Sequence, residues 1–155
     1  LSTISYIYGM NAKHIQEIRA FNRFYTNIIG LLDRHILHSN YSLPEVRIMF
    51  ELYHNRGMTA SDIIAQIDID KSYLSRILKG FEKNKLINKV SSGIDKRAIM
   101  LQLTPKGKKE FETLDKASEK QIATLFEKLS DKECDELVKK ISGIQKLLKK
   151  SLQNE

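Results

Sequence analysis

The chain has 155 residues, 41% of them hydrophobic, and carries a formal net charge of +7 from 26 Lys and Arg against 19 Asp and Glu. That is enough for one cored domain, with a basic excess that fits a polyanionic partner, either nucleic acid or an anionic membrane surface; a solvated lysine-rich surface is the alternative. The single cysteine, Cys134, excludes an internal disulfide, and no apolar run approaches the roughly 18 residues of a membrane span. The N-terminal LSTISYIYGM lacks the basic start and cleavage site of a signal peptide, so a reducing cytoplasm is the expected compartment. Leu1 in place of methionine suggests a processed, trimmed or alternatively initiated start.

From Ala12 to about Ile36, apolar residues recur at Ile15, Ile18, Phe21, Tyr25, Ile28 and Leu32, steps of three or four that predict one long helix. HSNYS (residues 38–42) interrupts it. Ser42 with Glu45 three residues later forms a capping box for a second helix, to about His54, and Pro44 sits in its first turn where a missing N–H costs little. Thr59 caps a short third helix to Ile67, with Asp62 near its positive end. After a turn at DID, Asp70 caps a fourth helix whose Leu74, Ile77, Leu78 and Phe81 share one face. Two short helices joined by so brief a turn predict a helix-turn-helix.

LINKV (residues 86–90) and AIMLQLT (residues 98–104) then read as antiparallel strands, with Ile99, Leu101 and Leu103 on one face. The seven residues Ser91 to Arg97 join them, so a hairpin directly follows the helix-turn-helix, the arrangement of a winged helix. Thr104-Pro105 opens a fifth helix with Phe111, Leu114, Ile122, Leu125, Phe126 and Leu129 on its apolar side. Ser130 with Glu133 caps a last helix carrying Leu137, Ile141, Ile144 and Leu148.

The expected fold class is therefore mainly α with a minor β part: a single domain over 1–155, with a DNA-binding lobe at about 42–104 and long flanking helices at about 11–37 and 105–153. Such helices cannot bury their stripes against a lobe of roughly sixty residues, so they are expected to pack on each other and on a second copy, a monomeric bundle being the alternative.

Charge is concentrated on the fourth helix and the hairpin. Between Lys71 and Met100 there are eight bases, Lys71, Arg76, Lys79, Lys83, Lys85, Lys89, Lys96 and Arg97, against the two acids Glu82 and Asp95, leaving +6. At about 100° per residue, a helix that buries Leu74, Ile77, Leu78 and Phe81 projects Ser72, Arg76, Lys79 and Lys83 outward, flanked by Tyr73 and Ser75. An α-helix fits the major groove, and the second helix of a helix-turn-helix enters with its N-terminal residues at the base edges. Ser72, Tyr73, Ser75 and Arg76 are thus the base-reading candidates, and Lys79 and Lys83 the phosphate candidates.

Plain solvation is the alternative for each lysine, an ion pair with Asp95 for Arg76, and cover of the core edge for Tyr73. Gly80 is costly inside a helix, and close packing is the expected excuse. On the hairpin, Gly93 permits the turn, Asp95 orients it, and Lys96 and Arg97 meet the backbone and the adjacent minor groove, whose focused potential favours arginine.

MTASDIIAQIDIDKSYLSRILKGFEKNKLINKVSSGIDKRAIMLQLTPKGKK resembles the DNA-binding core of the multiple antibiotic resistance regulator (MarR) family, most clearly in DKR (residues 95–97) followed by LTPKGKK. IRAFNRFYTNIIGLLD is similar to members fused to an acetyltransferase domain, although nothing of acetyltransferase size follows Glu155 and no such activity is expected. The resemblance implies a homodimeric winged helix-turn-helix transcription factor, joined through its first and last helices, that binds near-palindromic operators in double-stranded DNA. It also implies release by a small aromatic or anionic effector, with Arg97 as the wing arginine and Asp95 as its partner. Two positions depart from the family pattern. Lys85 stands where a glycine usually precedes the first strand, so Asn84 or Lys85 must make the helix exit, and Lys89 replaces the usual arginine.

Other chemistries find less support. His14, His35, His38 and His54 are scattered, no nucleophile-base spacing or glycine-rich phosphate loop appears, and neither enzyme activity nor a cofactor is expected. His35 and His38 near Asp33 make a conceivable metal pair without a clear third ligand. Cys134, in the first turn of the last helix, is either a redox-tuned thiol or inert packing. A partner-binding or membrane-surface module using the same basic face is the rival function, against which stands the shortage of exposed apolar residues on the finger beyond Ile94. For an effector, Phe24, Tyr25, Ile28, Arg47 and Phe50 are candidate pocket walls, with Arg47 able to pair a carboxylate; core packing accounts for the aromatics equally well.

Overall fold

The computed structural model describes residues 11–36, 39–91 and 98–152. Its elements are α1 (Ala12–Ile36), α2 (Leu43–His54), α3 (Ala60–Ile67), α4 (Lys71–Lys83), β1 (Ile87–Ser91), β2 (Ile99–Leu103), α5 (Pro105–Phe126) and α6 (Asp131–Leu152). The fold is thus mainly helical with one two-stranded antiparallel sheet. The chain divides into two compact units, residues 1–118 and 119–155, the division falling within α5.

In the first unit, side chains fix where each helix begins. The Ser42 N–H and Oγ donate to Glu45 Oε2 at 2.8 and 2.7 Å. Before α3, the Thr59 N–H donates to Asp62 Oδ2 at 2.8 Å and the Asp62 N–H returns a bond to Thr59 Oγ1 at 3.2 Å. These bonds satisfy amide groups that a helix start leaves without partners. The backbone bond from Thr59, followed by its side-chain bond, holds the Asp62 carboxyl below its ordinary range. Asp68 then turns the chain with a left-handed φ of 51°, a conformation that Asp tolerates better than most residues. Two residues later Asp70 Oδ1 accepts from the Tyr73 N–H at 2.8 Å, opening α4.

The exit from α4 uses Lys85, whose φ is 57°. The Leu86 N–H donates to Phe81 O at 2.8 Å and the Lys85 N–H to Glu82 O at 2.9 Å, the paired closure that usually has glycine at the left-handed position. Leu86 is thereby delivered to the core rather than to the strand, which begins at Ile87. Thr104 ties the same point from the far side of the hairpin. Its N–H donates to Leu86 O at 2.9 Å, its Oγ1 donates to Lys85 O at 2.8 Å, and Oγ1 accepts from the Gly107 N–H at 3.0 Å. A Cβ on Gly107 would lie 2.1 Å from Leu86 O, which is why the step after the strand needs glycine there.

Strand register pairs Ile87 with Leu103, Lys89 with Leu101 and Ser91 with Ile99, so these residues share one face, buried at Ile87, Leu101 and Leu103 and exposed toward the turn. Met58 joins as an isolated bridge to Leu101, whose N–H donates to Met58 O at 2.8 Å. The core gathers Ile48, Met49 and Leu52 from α2, Ile63 from α3, Leu74, Ile77, Leu78 and Phe81 from α4, Leu86, Ile87, Leu101 and Leu103 around the sheet, and Phe111 and Leu114 from α5. Every apolar residue expected to face inward on α4 does so.

Ile99, Leu101 and Leu103 share one face of β2 as expected, with Ile99 53% exposed because it pairs with Ser91 at the turn end of the hairpin, outside the core cluster. One expectation needs correction. Gly80 is not explained by close packing: a Cβ there would meet nothing within 4 Å.

Two of the flanking helices, α1 and α6, leave most of their apolar residues exposed. On α1, Ile18, Phe21, Phe24, Tyr25 and Ile29 are exposed, with the Phe21 and Tyr25 rings stacked at 5.6 Å. In the second unit, Ser130 caps α6 through its N–H and Oγ, which donate to Glu133 Oε2 at 2.8 and 2.7 Å. No residue of α6 is buried, and Val138, Ile141, Ile144, Leu147, Leu148 and Leu152 are all exposed. No helix among the described residues is long and apolar enough to cross a membrane.

Candidate nucleic-acid interface

Because α4 spends Leu74, Ile77, Leu78 and Phe81 on the core, its opposite face carries the side chains free to meet a partner. Ser72, Ser75, Arg76, Lys79 and Lys83 are all exposed there. Tyr73 is half-buried and packs against the core cluster. The guanidinium of Arg76 lies over its ring at 5.5 Å, a contact that steadies a long side chain without neutralising it. Among the described residues, Arg76, Lys79 and Lys83 have no carboxylate partner. The face presents short hydroxyls toward the start of the helix and cations beyond, a donor set that suits base edges and phosphates.

The wing strands stand beside this face, rooted where Thr104 meets the α4 exit. Lys96, Arg97 and Asp95, named from sequence, lie outside the described residues, as do Gly93 and Ile94; the suggested Arg76–Asp95 ion pair therefore lies outside them too. One feature went unread in the sequence. Lys89 Nζ on β1 forms an ion pair with Glu82 Oε1 on α4, joining the first hairpin strand to the helix that carries the exposed basic face. Counting charges placed both residues in the basic region, but only the strand register and the helix phase together show that they meet. Lys106, also unremarked, donates from Nζ to Asn84 O at 2.9 Å, supporting the same helix exit.

A cleft of about 300 Å³ runs between α3 and α4 to β1. Ala60, Ile64, Leu74 and Leu78 provide its apolar lining, and Ser61, Lys71, Ser75, Lys79, Glu82 and Lys89 its polar one. Ser75 and Lys79 thus belong at once to the outward face of α4 and to this cleft.

The five effector-wall candidates are only partly assembled. Arg47 lies over the Phe50 ring at 5.5 Å and pairs through its guanidinium with Glu51 Oε1 at 2.7 Å. Glu51 is buried, and its other oxygen accepts from Asn55 Nδ2 at 3.1 Å. Phe50 meets Phe111 edge-on at 6.2 Å and His54 at 4.4 Å, an aromatic group completed by Tyr53. The Tyr53 hydroxyl donates to Glu112 Oε1 at 2.9 Å, and that bond raises its pKa. Phe24 and Tyr25 are exposed and Ile28 half-buried on α1, with no ring contact from Phe24 or Tyr25 to Phe50 among the described residues. A larger cleft, about 570 Å³, is lined instead by Leu52, Tyr53, Arg56, Gln102, Leu103 and Lys108.

Among the described residues, no group of three or more His, Cys, Asp and Glu is placed to hold a metal; the His35 and His38 side chains lie outside them. Cys134 is a free, half-buried thiol.

Comparison with known proteins agrees with this geometry. The MarR family's sequence profile matches residues 41–99. The HTH-type transcriptional regulator BilQ of Clostridioides difficile (strain CD3) is 27% identical over 91 residues, 59% of this chain and 62% of that protein, so the chain spans somewhat under two thirds of this curated relative. A MarR family protein from Bacillus stearothermophilus has the same fold, with a TM-score of 0.77 at 17% identity over 90% of this chain and 99% of that one. Bordetella bronchiseptica BpsR, whose structure concerns regulation of its DNA binding by 6-hydroxynicotinic acid, superposes with a TM-score of 0.67 at 17% identity over 89% of this chain and 95% of that one. The helix pair α3–α4 and the start of its hairpin fall inside the matched segment, so residues 41–99 resemble the MarR family, and the chain shares the fold of solved MarR family structures.

Proposed function

We propose that the protein is a MarR-type transcriptional regulator, a repressor, that binds specific double-stranded DNA as a homodimer. The observation that carries this reading is the outward face of α4, where Ser72, Ser75, Arg76, Lys79 and Lys83 are exposed opposite a fully buried stripe. In the major groove, Ser72, Tyr73, Ser75 and Arg76 read base edges while Lys79 and Lys83 hold phosphates. The wing, with Lys96 and Arg97 oriented by Asp95, enters the neighbouring minor groove. The uncovered apolar residues of α1 and α6 support pairing of two copies, which would match a near-palindromic operator. The likeness of the first helix to acetyltransferase-fused members adds no activity to this reading.

Release by a small aromatic or anionic effector is part of the proposal, supported by the ligand named for BpsR. The candidate walls remain Phe24, Tyr25, Ile28, Arg47 and Phe50. Since Arg47 already holds the buried Glu51, a carboxylate arriving there must share or displace that partner. Effector and operator must then weaken each other by the same factor.

Selection of bound sequences from a random duplex pool tests the reading, followed by titration of Arg76→Ala and Arg97→Ala against the selected duplex. Both variants are expected to lose affinity, Arg76→Ala with relaxed base preference and Arg97→Ala with a flatter salt dependence. A protein that recovers no preferred duplex, yet binds anionic vesicles at low salt, would instead be the membrane-surface module.

A further inference from the structure

Resting on the DNA-binding reading above, we propose that Glu82 limits sequence-independent DNA binding by keeping Lys89 out of phosphate contact. Lys89 sits on the same face of β1 as Ile87, opposite Leu101, and lines the α3–α4 cleft together with Ser75 and Lys79. It is therefore placed among residues assigned to base and phosphate contact. Its ammonium is paired with Glu82 Oε1, whereas Lys71 and Lys79 on the same cleft have no carboxylate partner among the described residues. That oxygen is sealed from solvent and takes no hydrogen bond, so the carboxylate's inward oxygen is committed to this one cation.

The two side chains are 52% and 35% exposed. At such exposure an ion pair is weak and can exchange partners, so what it decides is where the ammonium rests rather than whether the lobe folds. Among the described residues, Glu82 is also the one acid on a cleft whose other polar lining is lysines and hydroxyls. Phosphate binding adds affinity for every sequence alike, whereas base contacts add it for one. Withholding one phosphate contact therefore lowers binding to all DNA and leaves the base-reading set untouched, which favours discrimination.

The test is fluorescence-anisotropy titration of the full chain with a random-sequence duplex and with a selected duplex, across a salt series. Wild type, Glu82→Gln and the double variant Glu82→Gln/Lys89→Gln are compared. One added phosphate contact steepens the dependence of log affinity on log salt by about 0.9, an extra fall of about 3.5-fold between roughly 50 and 200 mM. Glu82→Gln is expected to show that steeper slope with tighter binding to random duplex, and the double variant to return to the wild-type slope. An unchanged slope in Glu82→Gln overturns the inference. So does a gain that persists in the double variant, since loss of the negative charge would then act without Lys89. So too does a Glu82→Gln protein that melts earlier and binds both duplexes more weakly, since the pair would then be structural. Wild type binding no duplex would instead remove the DNA-binding reading itself.

Discussion

Replacing Lys85 by glycine is expected to stabilise the protein. Lys85 holds a φ of 57°, where the side chain of an L-residue crowds its own carbonyl at a cost of about 1–2 kcal/mol. Glycine removes that cost but gives back part of it, about 0.4–1 kcal/mol, through the larger freedom of the unfolded chain. Lys85 is exposed and makes no ion pair among the described residues, so little else is lost. The bonds that define the exit, Leu86 N–H to Phe81 O and Lys85 N–H to Glu82 O, involve main chain alone and survive the change. The net gain is about 0.5–1 kcal/mol, read as a Tm higher by roughly 1–4 °C for a chain of this size. Thermal and urea unfolding should be run at equal protomer concentration, with Lys85→Ala as the control that keeps the left-handed cost and should stay near wild type. A glycine variant no more stable than the alanine variant would refute the assignment of strain to this residue.

Gly80→Ala should also stabilise, by up to about 1 kcal/mol, since a helical glycine is costly and its added Cβ meets nothing within 4 Å; urea midpoints at constant m-value measure it. Gly107→Ala should cost about 3 kcal/mol by overpacking, because the new Cβ would sit 2.1 Å from Leu86 O on the main chain that carries the wing root; loss of cooperative melting at lower temperature is the readout. Glu133 has its pKa held below the ordinary 4.5 by the hydrogen bond from the Ser130 side chain and then the one from its backbone. The ionised form is thus the stabilising one, its contribution full above that value and lost as pH falls through the lowered one. The stability gap between wild type and Glu133→Ala should be widest near neutrality and close in acid, and a gap unchanged down to pH about 3 would contradict this linkage.

The helix starts were legible in the sequence because each is written in a few adjacent residues: Ser42 with Glu45, Thr59 with Asp62, Asp70, and Ser130 with Glu133. The buried stripe of α4 was equally plain, since its period alone selects Leu74, Ile77, Leu78 and Phe81. What escaped depends on residues distant in the chain. Ile99 has the right alternation but lies at the turn end of the strand pair, and alternation carries no information about where cover ends. Met58 stands between two helices with no strand pattern around it, yet its carbonyl accepts from Leu101 and bridges to the sheet. Glu51 looks like a solvent-facing helix acid and is buried beneath Arg47, so the arginine assigned to an incoming anion already has one. The Glu82–Lys89 pair needed both the phase of α4 and the register of β1. Gly80 was misjudged from the opposite direction: its composition suggested a tight contact, and the helix surface there is open.

The bareness of α6 links folding to assembly. A helix of 22 residues with no buried position draws almost nothing from solvophobic burial within its own chain, and hydrogen bonds along a single helix are marginal in water. Under the proposed pairing, a second copy would cover Ile141, Ile144 and Leu148 and add that burial. On the proposed pairing of two copies, dilution acts as a denaturant, and the melting point is expected to rise with protomer concentration.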